Sequence, residues 1–179
     1  MKQSLPDGAL AGVDLQLGAA QPAWLLHSLV DLDALALDDA ARRCLAEVEI
    51  EPPPSWPAGA DTVGRALEAL LDDDDVQVVQ DDRAAGHMRL EVVVGGDADA
   101  WAFVAGLWLR LAGAAARVGG QGCMATVGVG AAGHGGAGFL GIAVQPGHVD
   151  AHLEPELQDL DPETIHRFVP RGLTLLTIP

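Results

Sequence analysis

The stretch DADAWAFVAGLWLRLAGAAARV, residues 97–118, decides how the rest of this chain is read. Trp101, Val104, Trp108, Leu111, Ala115 and Val118 recur at spacings of three and four, the period that places side chains on one face of an α-helix. Asp97 offers a side-chain oxygen as N-cap, and Gly119-Gly120 supplies a stop. The spacing predicts a helix of about 22 residues, ~33 Å long at about 1.5 Å per residue. Phe103, Leu107 and Leu109 widen its apolar surface, which predicts burial on more than one side. The length also fits a membrane span, but Asp99, Arg110 and the many small residues weigh against that reading.

Working outward, residues 76–80 and 87–94 read as two strands joined by a loop at 81–86. In the second, Met88, Leu90, Val92 and Val94 alternate with Arg89, Glu91 and Val93, the mark of a half-buried strand. Beyond the long helix, residues 123–129 and 139–145 form a second strand pair around a glycine-rich loop at 130–138. Asp161-Pro162-Glu163 opens a short helix, and residues 173–178 form a final strand. Closer to the start, a short strand is expected at 13–17 and helices at 38–49 and 61–71. This order predicts an α+β fold: a mostly antiparallel sheet with one long buried helix, about 97–118, packed on a face. A single domain over 1–179 is expected. The proline-rich stretch 51–59 then sets off a small N-terminal subdomain, 1–50.

Composition narrows the function classes. The chain has 179 residues, 26 acidic against 10 basic, and a formal net charge of −16. Such a surface repels nucleic-acid phosphates and anionic lipid, so neither nucleic acid nor membrane is expected as a partner. It favours a basic protein, a cation or simple solubility, and is compatible with a homo-oligomer. Lys2 is the only lysine, and no serine stands in a G-x-S-x-G elbow, so Schiff-base and elbow-hydrolase chemistry are unsupported. Cys44 and Cys123, without an export signal, read as free thiols of a cytoplasmic protein. The scarcity of residues with AT-rich codons points to a bacterial genome.

Four motifs invite a chemical reading. Gly128-Val129-Gly130-Ala131-Ala132-Gly133 matches G-x-G-x-x-G, but the expected sequel is a strand, not the helix whose amides would hold a pyrophosphate. No cofactor is expected. His148 and His152, at i and i+4, would face one way on a helix and so share a divalent metal. Pro146-Gly147 and Pro155 argue that the run is instead an exposed acidic loop. Asp72, Asp73, Asp74 and Asp75, followed by Asp81 and Asp82, concentrate negative potential without the alternating geometry of a Ca²⁺ loop. Cys123 is a candidate reactive thiol beside Arg117 and His134, set against the plainer reading of a buried structural cysteine. The leading expectation is a non-enzymatic acidic binding or accessory protein, of the immunity-protein or maturation-chaperone kind, for a basic protein partner. A small metal-dependent enzyme using His148 and His152 is the alternative.

Overall fold

Glycine and alanine dominate the start of the chain, yet they alternate with Val13 and Leu15, and alternation rather than bulk makes a strand. In the computed structural model, which describes residues 8–17, 36–39, 42, 63–84, 86–95, 98–129, 138–154 and 159–173, that strand is β1 (Gly8–Gln16). It is nine residues long, extending well before the expected 13–17. Ala9, Ala11, Val13 and Leu15 are all buried, so their small size reflects close packing, not a loop.

The further elements are β2 (Ala36–Leu37), α1 (Val63–Leu71), β3 (Val76–Ala84), β4 (His87–Gly95) and α2 (Ala98–Arg117). They continue with β5 (Gln121–Val129), β6 (Phe139–Gln145), β7 (His148–Glu154) and α3 (Pro162–Phe168). The sheet runs β2-β7-β6-β5-β1-β4-β3. Six strands pair antiparallel, and β2 adds two residues in parallel to β7. The fold is therefore α+β.

Register assigns the two faces. Val13 stands opposite Leu90 on β4 and Met124 on β5, and all three are fully buried in the main core. Ile142 on β6 and Ala151 on β7 continue that row. Helix α2 lies on this face, with Phe103, Val104, Trp108, Leu111 and Ala115 buried. Helix α1 adds Val63, Leu67 and Leu70 to the same core. The opposite face holds a second, smaller cluster of Ala125, Val127, Phe139, Phe168 and Leu173, closed by α3. Asp161 caps that helix, accepting from the Thr164 amide at 3.2 Å.

Two contacts fix how closely helices approach the sheet. A Cβ at Gly128 would stand 2.7 Å from the Trp101 ring, so the bare backbone lets that indole lie flat on β5. On the other face, a Cβ at Gly141 would collide with Phe168 of α3. Trp108 goes further: its indole N–H is shared between the carbonyls of Gly12 (3.1 Å) and Ala125 (3.2 Å), which face each other across β1 and β5. Among the described residues, no helix is long and apolar enough to cross a membrane.

Two local expectations are corrected. Asp81 and Asp82 belong to strand β3, not to a loop, because β3 keeps pairing with β4 as far as Ala84 opposite His87. Residues 148–154, expected as a loop or a doubtful helix, are strand β7. There Val149, Ala151 and Leu153 alternate with polar residues and pack against the core. The stretch before Pro155 is also long enough to pair fully with β6. The linker 51–59, the glycine-rich loop apart from Gly138, and most of the strand expected at 173–178 lie outside the described residues. So does nearly all of the helix expected at 38–49, though Asp39 and Arg42 are helical.

Trp108→Ala is expected to cost about 3–5 kcal/mol in denaturant unfolding, combining a cavity with two carbonyls left without their donor. Trp108→Phe, which keeps a buried ring but loses the N–H and part of the indole volume, should cost less, about 1–3 kcal/mol. A loss below about 1 kcal/mol for the alanine variant would contradict this packing.

Candidate functional site

The acidic run sits where α1 hands the chain to β3. Helix α1 ends as the Asp72 amide bonds to the Glu68 carbonyl at 3.0 Å, and an ordered turn follows. Asp73 builds the turn from within: its Oδ1 accepts from the Asp75 amide at 2.9 Å and its carbonyl from the Val76 amide at 3.1 Å. The Asp75 carbonyl accepts from Gly95 at 2.7 Å, tying the turn to the end of β4. Asp72, Asp74 and Asp75 are left exposed. Asp81 and Asp82 are also exposed, further along β3, the outermost strand of the sheet.

Among the described residues, Arg83 answers this charge. Arg83 forks onto Asp81 (Nε to Oδ1, 2.7 Å; Nη2 to Oδ2, 2.8 Å), while its Nη1 reaches Glu68 Oε1 at 2.7 Å. The bond to Asp81, partly opposed by burial and reinforced by Glu68, raises the Arg83 pKa above its ordinary value. The sequence signals none of this, since Glu68 lies fifteen residues away on another element. Among the described residues, no side chain of opposite charge pairs with Asp72, Asp74, Asp75 or Asp82. The structure thus gathers all six sequence-predicted aspartates along one border of the sheet.

His148 and His152 lie on β7, where a spacing of four residues separates them by about 13 Å of strand. The helical geometry through which they would share an ion is not present. Each has its own neighbour. His148 Nδ1 meets the Ala36 carbonyl at 2.9 Å, while His152 stacks on Phe168 with ring centroids 5.9 Å apart and stands 3.6 Å from Glu154. Between them Asp150 accepts from Arg167 at 2.6 Å, and Arg167 also lies over the Phe168 ring. Burial, then the carboxyl of Asp38, push the Asp150 pKa up, against the pull of Arg167 and His148. No group of three or more His, Cys, Asp or Glu side chains among the described residues is placed to hold a metal.

The sheet face away from α2 also carries a polar row that the sequence reading passed over. His87 Nε2 is 3.0 Å from Asp14 Oδ1, and Arg89 Nη2 donates to the Arg171 carbonyl at 2.6 Å, holding the turn after α3 against β4. Period-two alternation in β1 and β4 is the signal that could have found it, because it sends Asp14, His87 and Arg89 to one side. Cys123 stands opposite Asp14 on β5 and is half-buried. Desolvation, then the Asp14 charge, push its thiol up to about 11, with Arg171 opposing. A thiol so held is protonated at neutral pH, the reverse of an activated nucleophile. Of the residues expected beside it, His134 lies outside the described residues, and Arg171 is the cation that acts on it.

Two measurements follow from these environments. In a Cys44→Ala background, Cys123 should react with iodoacetamide at pH 8 about a hundredfold more slowly than an ordinary cysteine, since less of it is thiolate. A rate equal to that of free cysteine would contradict the buried site. For Asp150 the sign is fixed by linkage: a carboxyl whose folded pKa lies above its unfolded value contributes stability at low pH that is lost as pH rises through the folded pKa. The melting temperature of Asp150→Asn relative to the unaltered protein should therefore climb between pH 3 and pH 7. A difference that falls over that range would reverse the assignment.

No protein-family model, no curated protein and no solved structure matches this chain.

Proposed function

We propose that this chain is a non-enzymatic acidic binding protein, of the immunity-protein or maturation-chaperone kind, whose carboxylate-rich border engages a basic protein partner. The observation that carries the reading is the gathering of Asp72, Asp74, Asp75 and Asp82 along the β3 side of the sheet, exposed and, among the described residues, without a paired cation. Placed together on a rigid scaffold, they create a directed negative field rather than a diffuse net charge. The ordered turn adds to this, because carboxylates already held in place lose little freedom on binding. The half-buried Cys123, with its raised pKa, is not the thiol of a nucleophilic catalyst.

The test is capture at low salt from the native cell extract, followed by association kinetics of the purified partner. The partner should be basic. Its association should slow as salt rises, while dissociation changes little. Replacing Asp72, Asp73, Asp74 and Asp75 together by Asn should lower the on-rate several-fold and flatten its salt dependence. Stability should be nearly unchanged, because Asp73→Asn keeps an Oδ1 that can accept the turn bond from the Asp75 amide. A neutral or acidic partner, or an unchanged on-rate and salt slope, would refute the proposal.

A further inference from the structure

Strand β3 pairs with β4 on one side, and among the described residues nothing pairs with its outer side. It is nine residues long and carries Gln77, Val78 and Val79 exposed, with Val79 at 55% and Val78 at 40% of full exposure. The chain places only one other large apolar residue, Val118, at comparable exposure among the described residues. The register explains the valine doublet. Val78 stands opposite Val92 and Gln80 opposite Glu91, so Val79 is an extra residue with no partner on β4. The ladder is locally disrupted at this bulge.

An unpaired strand of this length offers a row of backbone donors and acceptors to another extended chain. Charge then selects the occupant. Between residues 72 and 84 stand six aspartates and one arginine, and that arginine is occupied by Asp81 and Glu68. Two copies of such an edge brought side by side would set like charges against each other, so a second copy is disfavoured. An extended segment carrying lysine or arginine meets complementary charge at both ends of β3, at Asp74 and Asp75 and again at Asp82.

We infer that the outer edge of β3 docks an extended basic segment of a protein partner as an additional strand, with Val78 and Val79 as its apolar contact. This rests on the proposed basic-partner reading and gives it a location and a binding mode: backbone hydrogen bonds supply affinity, and the flanking aspartates supply selection.

The probe is a fluorescent nonapeptide of alternating Lys and Val, compared with the same peptide N-methylated on every amide, which keeps the charge but has no backbone N–H to donate to an edge. Titration of the whole chain should give an affinity for the plain peptide at least tenfold tighter than for the N-methylated one. Val79→Pro, which removes the backbone donor of the bulge residue, should weaken the plain peptide at least tenfold while leaving the circular dichroism unchanged. Asp81→Lys with Asp82→Lys provides a second variant with the same expected loss. Equal binding of the two peptides would overturn edge docking and leave the basic-partner reading standing on charge alone. Binding of neither would overturn edge docking as well, and partner capture would then judge the wider reading by itself. A dimer of this chain in sedimentation, abolished by Val79→Pro, would show that the edge serves a second copy and would likewise overturn the inference.

Discussion

One indole N–H, that of Trp108, sits between two backbone carbonyls at the centre of the sheet, and much of the architecture follows from it. A tryptophan buried in a core must find an acceptor, and side-chain acceptors are scarce in a core built from Leu, Val and Ala. The acceptors are therefore taken from the backbone of β1 and β5, which requires the helix to lie directly over the junction of those strands. That crossing in turn decides which face of every strand is apolar. Val13, Leu90, Met124 and Ile142 line up beneath α2 because they share a register row with the residues around that bond.

The chain divides its polar chemistry accordingly. With one face given to α2 and α1, the ionisable residues of β1, β4, β5 and β7 gather on the other, around the small cluster closed by α3. There they serve each other: Asp14 with His87, Asp150 with Arg167, and Arg89 with the Arg171 carbonyl. Such contacts hold the α3 side onto the sheet and leave few carboxylates over. Unmatched negative charge is displaced to the β3 border, where Arg83 pairs with Asp81 and Glu68. Acidity in this molecule is a property of one border as much as of the whole.

How far the residues alone revealed this depends on which force decided each element. The long helix and strand β4 were readable because burial imposes a period on bulky side chains, and α3 because Asp161 and Pro162 act locally. Strand β1 was read too short because its inward residues Ala9 and Ala11 are small, and their smallness reflects Trp101 and Trp108 lying across the neighbouring backbone rather than any local preference. Strand β7 was obscured by histidines and acids at alternate positions, whose meaning depends on β6 lying alongside. At the candidate site, the clustering of the aspartates in the chain was plain. Their shared border was not, because it arises from β3 being last in the sheet, and sheet order is set by pairings between distant segments.

The position of β1 carries a consequence for biogenesis. It is made first among the described strands, yet its neighbours on either side, β4 and β5, are made later, and Gly8 finds its partner at Val129. The β3–β4 hairpin and the β5–β6–β7 meander join segments close in the chain, whereas seating β1 closes a loop of more than a hundred residues. During synthesis β1 can pair with β4 as soon as β4 has left the ribosome, but its other edge stays open until β5 follows. The acidic character of the chain then acts before any partner is met: mutual repulsion between nascent copies disfavours pairing through that open edge until β5 covers it.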